Sequence, residues 1–148
     1  DPSIKIKLGY SQSFTDEGVA LNIGNGQIAQ GTDILFAVAG SSGLGYLKAA
    51  QQKGVYGIGV DADQAYLGSY IMTSAVKRVD QAILVTIGKV IAGTFKGGDN
   101  TFSLKNNGTG YGKVGSMVPM SILSQVKAQK TLIATGKLVP TTTIPAKL

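Results

Sequence analysis

Charged side chains that could bind a hydroxylated small molecule follow two apolar runs of the sequence. Asp61 comes directly after the run at 55–60, where a carboxylate can accept hydrogen bonds from two neighbouring hydroxyls, as in a sugar. Lys77 lies beyond the run at 70–73 and could neutralise Asp61 while donating to the same ligand. The alternative interpretations are a turn-forming or helix-capping aspartate and an ordinary surface lysine. Asp63 fits the turn-forming role better than Asp61.

The glycine–serine turn at 39–43 could hold a ligand through its backbone. Gly40 and Ser41 lie just before a predicted helix, where backbone N–H groups and the helix dipole favour a polar ligand. The turn lacks the P-loop lysine and the full dinucleotide glycine pattern, so its spacing alone favours a plain strand-to-helix turn. Phe14, in a polar turn before another helix, could stack on a flat ring or pack on that helix as a hydrophobic staple.

The composition excludes several kinds of catalysis. The chain of 148 residues contains neither histidine nor cysteine. Histidine general bases, serine–histidine triads, thiolate nucleophiles and the common histidine or cysteine metal sites are therefore excluded. We expect a protein that is not an enzyme and that uses no cofactor or metal. A pair formed by Lys77 with Ser41 or Ser42 is the remaining catalytic alternative.

Charge and hydropathy limit the partners. The formal net charge is +6, but the 14 basic residues are scattered and only Lys77 and Arg78 are adjacent. Nucleic-acid binders usually cluster their charge, so we expect no nucleic-acid partner. No apolar run approaches the roughly 18–20 residues that span a bilayer. Because the chain starts at Asp1 rather than at methionine, we expect that N-terminal residues have been removed.

The apolar pattern predicts strands that alternate with helices. This order predicts an α/β fold with a doubly wound, mostly parallel sheet. The helix at 78–92 has the clearest pattern, and we expect its apolar face to dock on a second polypeptide, a symmetry mate or the lobe's own sheet. The helix at 16–30 is weakened by three glycines. The predicted strands are 4–10, 33–38, 55–60, 70–73 and 101–104, and the other helices are 44–53 and one that begins at 119 or 121 and ends before 136.

Ligands of open parallel sheets bind beyond the carboxyl ends of the strands. We therefore expect Phe14, Asp61 and Lys77 to share one hollow at that edge. The turns that the rule selects are 11–15, 39–43, 61–66 and 74–78. Residues 1–138 are expected to form a single α/β ligand-binding lobe, and residues 139–148, with two prolines and three threonines, an extended tail.

Several segments that carry these residues resemble the basic membrane protein family, the purine-nucleoside-binding lipoproteins of ABC importers. The likeness covers nearly the whole chain, and it depends on the order and spacing of the segments rather than on any single motif. The matching segments are SFTD at 13–16, AGSSGLG at 39–45, GVDADQ at 59–64, TSAVKRVD at 73–80, FKGG at 95–98 and GKLVP at 136–140.

The resemblance implies the C-terminal part of a receptor similar to type I periplasmic binding proteins, in which two doubly wound lobes close on a ligand. This chain would supply one lobe, and the family's N-terminal lobe is absent from it. The implied partners are a purine nucleoside or similar small polar ligand, the missing lobe or a second chain, and an ABC transporter permease. The implied location is the cell envelope, outside the cytoplasm, as a membrane-anchored lipoprotein or a periplasmic protein.

The resemblance also implies roles for single residues. Phe14 would stack on the base, Gly40 would offer its backbone, Asp61 would hold the ribose hydroxyls, and Lys77 would assist Asp61. The implied ligand-binding set is Phe14, Gly40, Ser41, Asp61, Asp63 and Lys77. The alternative is a stand-alone flavodoxin-like domain that uses its long apolar helix for interaction or assembly.

Overall fold

Four strands form a single sheet in the computed structural model, which describes residues 3–141. They are β1 (Ile34–Phe36), β2 (Tyr56–Asp61), β3 (Ile71–Lys77) and β4 (Thr109–Tyr111), and they lie side by side in this order. The first three are parallel to one another, whereas β4 is antiparallel to β3. The prediction of an α/β fold with a mostly parallel sheet is confirmed.

The predicted helices are also present. Asp16 caps the first helix, because its side-chain oxygen accepts a hydrogen bond from the Val19 amide at 3.0 Å. The second helix ends at Gly54, which adopts the left-handed conformation common after helices (φ 68°). The helices are α1 (Glu17–Ala29), α2 (Ser42–Lys53), α3 (Val79–Ile91) and α4 (Met120–Ala134), and short 3-10 turns lie at Ala65–Leu67 and Leu104–Asn106.

The core lies between the sheet and the paired helices α1 and α2. Its largest apolar side chains are Leu35, Leu47 and Ile71, which expose at most 3% of their surface. Glycines let the two helices approach closely: a methyl group on Gly24 would collide with side chains of α2, and one on Gly45 would overlap the backbone of α1. Close packing therefore compensates the low helix propensity that the glycines give to α1.

The opposite face of the sheet is open around β1 within the described residues. Its side chains Ile34, Phe36, Val38 and Tyr56 expose between 40% and 65% of their surface. Neither α3 nor α4 has a buried residue. The expected docking of helix 78–92 on the lobe's own sheet is therefore not seen, and docking on another polypeptide stays a prediction.

Two predicted strands are wrong. Residues 4–10 form no strand, because alternating side chains do not guarantee that a neighbouring backbone is present to pair. Residues 101–104 form none either, and the antiparallel strand is β4 in the glycine-rich stretch that follows, where pairing with β3 outweighs the low strand propensity of glycine. The strand predicted at 70–73 extends to Lys77. Of the expected tail, residues 142–148 lie outside the described part of the chain.

Candidate functional site

Asp61 and Lys77 form an ion pair at the carboxyl edge of the sheet. Each is the last residue of its strand, and β2 and β3 are parallel neighbours. The Lys77 Nζ atom lies 2.6 Å from the Asp61 Oδ1 atom, and both side chains are at least half exposed. Exposed ion pairs add little to stability. This pair is therefore accessible to a ligand rather than committed to the core.

The backbone of Asp61 is held in an unusual conformation. Its φ is 68°, a region that residues other than glycine rarely adopt and that is often found at functional sites. The turn after it is tied down by Gln64, whose side-chain oxygen accepts from the Val60 amide at 2.9 Å. The backbone amide of Gln64 donates to the Ser74 hydroxyl at 2.9 Å, and Ser74 is fully buried. Two hydrogen bonds thus hold the turn that follows Asp61.

The Asp63 side chain accepts hydrogen bonds from two backbone amides that lie far apart in the sequence. One carboxylate oxygen accepts from the Ala65 amide at 3.2 Å, and the other accepts from the Lys113 amide at 2.9 Å. The side chain therefore holds the β2 turn against the segment that follows β4. This is the turn-forming role considered from the sequence, extended by a long-range contact.

Phe14 is fixed through its backbone while its ring stays exposed. The Phe14 carbonyl accepts from the Ser41 hydroxyl at 2.9 Å and from the Ser42 amide at 3.0 Å. Gly40 has a φ of 58°, and a Cβ atom there would come within 3.0 Å of that carbonyl. Phe14 is 77% exposed. This contradicts the hydrophobic-staple alternative, in which the ring would pack on the following helix.

Four of the six candidate residues line two hollows rather than the single one expected, and Gly40 and Ser41 line neither. A shallow hollow of about 630 Å³ is bordered by Asp61, Asp63 and Lys77. Another of about 360 Å³ is bordered by Phe14 and Val38. Both are open to solvent because no described residue forms a wall opposite the edge of the sheet. The two hollows follow adjacent strands, since β1 and β2 are paired in parallel.

The serine–lysine alternative finds no geometric support among the described residues. The Ser41 hydroxyl donates to the Phe14 carbonyl, and the buried Ser42 hydroxyl donates to that of Ser11 at 3.2 Å. Lys77 pairs with Asp61 instead. Neither serine is therefore paired with Lys77, and all three side chains have other partners.

The sequence did not single out Ser74 or the positioning role of Gln64. The signal that could have found them is Gly59, in the middle of a buried strand. A Cβ atom on Gly59 would come within 2.7 Å of the Ser74 hydroxyl, so the glycine makes room for the hydrogen-bonded turn.

Two further observations concern residues 3–141 as a whole. They contain no group of three acidic, histidine or cysteine side chains arranged to hold a metal ion. None of their helices combines the length and the apolar character that crossing a membrane would require.

Known proteins resemble the chain over most of its length. A family model described as "ABC transporter substrate-binding protein PnrA-like" matches residues 1–144. Basic membrane protein D of Borreliella burgdorferi is 38% identical over an alignment of 113 residues that covers 73% of this chain and 33% of that protein. The "ABC transporter nucleoside-binding protein BmpA" of Lactococcus lactis is 30% identical over 163 residues, covering 97% of this chain and 45% of that protein.

A third relative, named an uncharacterized lipoprotein of Pyrococcus abyssi, is 32% identical over 86% of this chain and 37% of its own length. The chain therefore spans less than half the length of these curated relatives.

Solved structures agree on the fold. A protein of Bacillus halodurans described as a transcriptional activator of the comK gene superposes with a TM-score of 0.84 at 22% identity, over 89% of this chain and 47% of that one. A solute-binding protein of an ABC transporter system from Aeropyrum pernix superposes with a TM-score of 0.75 at 21% identity, over 98% of this chain and 50% of that one. The family match and the curated relatives show that the chain belongs to the Bmp family of PnrA-like ABC transporter substrate-binding proteins.

Proposed function

We propose that this chain is one lobe of a receptor that binds a purine nucleoside, or a similar small polar molecule, for an ABC importer. The receptor works outside the cytoplasm and releases its ligand unchanged to the permease. The observation that carries the proposal is the exposed Asp61–Lys77 pair, presented on adjacent strand ends. The exposed Phe14 borders a separate hollow with Val38, beyond the end of the neighbouring strand β1. The name of the Lactococcus lactis relative supports the nucleoside as ligand.

Each side chain contributes a different contact in this proposal. Asp61 accepts hydrogen bonds from the ribose hydroxyls, and Lys77 both orients this carboxylate and donates to the same sugar. The Phe14 ring stacks on the base. Gly40 offers backbone to the ligand, while Ser41 and Asp63 hold the two turns that border it. Binding and closure require no bond to be made or broken.

The two open hollows account for the need of a second lobe. Closure of another lobe over this edge would join them into one enclosed site and exclude water, which strengthens every polar contact within it. The exposed apolar face of α3 would dock on that lobe. This chain alone is therefore expected to bind a nucleoside weakly.

Isothermal titration with guanosine, adenosine and inosine tests the proposal. The samples are this chain and a chimera that joins it to the N-terminal half of the Lactococcus lactis relative. We expect stronger binding by the chimera and its loss on Asp61→Asn, with Asp99→Asn as the matched exposed control. Absence of heat from all three nucleosides in a folded chimera would contradict the proposal.

A stand-alone assembly domain is the second candidate, and the exposed apolar face of α3 favours it. The side chains of Ile83, Leu84 and Ile87 expose 50–61% of their surface, and such faces usually mark interfaces. Light scattering separates the two candidates. A mass of two or more chains, together with no response to any nucleoside, would support assembly.

A further inference from the structure

The net positive charge lies entirely in the last third of the chain. Residues 1–99 contain eight basic and eight acidic residues, whereas residues 100–148 contain six lysines and no acidic residue. A one-sided excess of this kind indicates a surface that meets an anionic partner, because balanced charges elsewhere cancel at a distance. The asymmetry appears only when the scattered basic residues are compared with the acidic ones.

Four of these lysines lie around the second half of α4. Lys127 and Lys130 are one helical turn apart, and Lys137 follows the end of the helix. Lys105 belongs to the 3-10 turn that precedes β4, and a Cβ atom on Gly136 would lie 3.5 Å from its Nζ atom. Between Lys127 and its last residue the helix rises only about 11 Å. These four lysines therefore form one surface, which we call the basic face.

No acidic side chain neutralises the basic face among residues 3–141. The ion pair in that part of the chain joins Lys77 to Asp61. Lys130 lies over the ring of Tyr111, with its Nζ atom 5.1 Å from the ring centre, a contact that leaves its charge in place. The other three lysines of the basic face are exposed. The face thus presents four charges to whatever lies opposite it.

The outer side of α4 is polar between these lysines. The larger apolar side chains Ile122, Val126 and Ile133 border a hollow beside β4 instead. Ser124 and Thr131 are exposed, and their hydroxyls donate to backbone carbonyls of the same helix. Four lysines spread along a helix and the turn beside it cannot all reach one small ion. A flat anionic surface meets them together.

The basic face adjoins the edge of the sheet that carries the ion pair. The turn that contains Lys105 leads into β4, whose first residue, Thr109, pairs with Lys77 at the end of β3. The Arg78 amide donates to the Gly108 carbonyl at 2.8 Å and holds this junction together. A partner on the basic face therefore lies close to the edge where the proposed ligand enters and leaves.

We propose that the basic face rests on a bilayer that contains anionic lipids and brings the ligand edge of the lobe to the membrane. The inference rests on the proposed function, because the receptor of an importer delivers its ligand at a membrane. Each lysine close to an anionic bilayer strengthens attachment about fivefold. The contact involves lipid headgroups alone, since a helix that inserts would turn its larger apolar side chains outward.

A nucleic acid fits the basic face less well than a bilayer. Proteins that bind single strands place exposed aromatic rings among their basic residues so that bases can stack. The aromatic ring beside this face is that of Tyr111, and Lys130 lies over it. The charge of the face is thus available to phosphate groups without a surface for bases.

Co-sedimentation of the full 148-residue chain with lipid vesicles tests the proposal. The vesicles contain phosphatidylcholine alone or a mixture with phosphatidylglycerol, in about 0.1 M and about 1 M salt, where charges are screened beyond about 10 Å and about 3 Å. We expect binding only to the mixture and only at the lower salt concentration. The triple variant Lys105→Gln, Lys127→Gln and Lys137→Gln should lower the partition coefficient about 100-fold.

A second triple variant with the same net charge is the matched control. Lys48→Gln, Lys53→Gln and Lys89→Gln remove three exposed lysines from the balanced part of the chain, so the partition coefficient should fall by less than about fivefold. Circular dichroism checks that both variants fold. Spin-labelled phosphatidylglycerol localises the contact by NMR, and it should broaden the amide signals of Lys127 and Lys137 but not those of Lys48 and Lys53.

Three results would overturn the proposal. The first is an equal loss of binding in the two triple variants, which would show that only total charge matters. The second is binding to phosphatidylcholine alone, or binding that persists in about 1 M salt, which would indicate apolar adsorption. The third is tighter binding to double-stranded DNA than to the mixed vesicles, which would make a nucleic acid the partner.

Nucleoside titration keeps this inference separate from the proposed function. The chimera that carries the substitutions of the basic face should bind guanosine as tightly as the unmodified chimera, because none of these lysines borders the two hollows at the ligand edge. A chimera that binds guanosine but ignores anionic vesicles would overturn the membrane contact alone. Vesicle binding that depends on the basic face, without any response to nucleosides, would support the contact and contradict the proposed ligand.

Discussion

The two halves of the chain use their helices in opposite ways. In residues 17–77, α1 and α2 bury Ala20, Leu47 and Ala49 between themselves and the sheet. From residue 79 onward, α3 and α4 have no buried residue, although α3 is the most regular amphipathic helix of the sequence. The contrast teaches that an apolar stripe predicts burial, but not that the burying partner lies in the same stretch of chain.

The largest expected effect is a difference between the two halves in how much a core-type substitution lowers the free energy of unfolding. Leu47→Ala should lower the free energy of unfolding by about 2–5 kcal/mol, because it opens a cavity at a fully buried position. Ile87→Ala should change it by no more than about 0.5 kcal/mol in the chain alone, since Ile87 is half exposed. Urea unfolding followed by circular dichroism measures both. Equal losses would show that α3 is packed in solution and would erase the contrast.

The next prediction concerns α3 in the chimera, where the proposed second lobe is present. In the chimera with the N-terminal half of the Lactococcus lactis relative, Ile87→Ala should destabilise by about 1.5–3 kcal/mol, because the side chain becomes buried on docking. Lys89→Ala, which replaces a polar side chain on the same helix, is the control. Its free energy of unfolding should stay near that of the unmodified chimera. If Ile87→Ala is as harmless in the chimera as in the chain alone, α3 does not dock on that half.

These outcomes also mark what the sequence can predict. The helices and the three parallel strands follow from local periodicity and glycine punctuation, and the Asp61–Lys77 pair follows from the rule that strand ends share an edge. The strand at 4–10 was predicted wrongly because pairing depends on a neighbour that local pattern does not reveal. The split into two hollows was not predicted for a similar reason, since no described residue forms a wall opposite this edge of the sheet.

Ser74 could not be singled out for a further reason. A serine inside a strand resembles any small polar residue until its hydrogen-bond partner is known, and that partner, the Gln64 amide, is ten residues away. Only the fold brings the two together. Positioning residues of this kind are therefore less predictable from sequence than charged residues at strand ends.

Ser74→Ala tests that positioning role. Loss of the hydroxyl leaves the Gln64 amide without its partner in a partly buried turn, which should cost about 1–3 kcal/mol of stability. The substitution should also weaken nucleoside binding by the chimera. If Asp61 is held in place independently of this turn, binding will not change. Ser124→Ala removes an exposed hydroxyl that donates to the Met120 carbonyl, and it should alter neither quantity.

Phe14→Ala should separate binding from stability. Stacking of an aromatic side chain on a base contributes about 1–3 kcal/mol, so the dissociation constant for guanosine should rise by about 5- to 150-fold in the chimera. The free energy of unfolding should stay within about 0.5 kcal/mol, because the side chain is exposed. Phe95→Ala, at another exposed aromatic outside the four selected turns, should leave titration heats unchanged. A Phe14 variant that binds normally would remove the ring from the proposed site.

The smallest expected effect concerns Lys77 and the exposed ion pair. Lys77→Gln should change the free energy of unfolding by less than about 1 kcal/mol, because solvent screens a pair as exposed as this one. It should nevertheless weaken guanosine binding by the chimera, since the Asp61 carboxylate then loses its orienting cation. Lys89→Gln, in the last turn of α3, is the matched control. If Lys77→Gln changed stability strongly but left binding intact, the pair would belong to the fold rather than to the site.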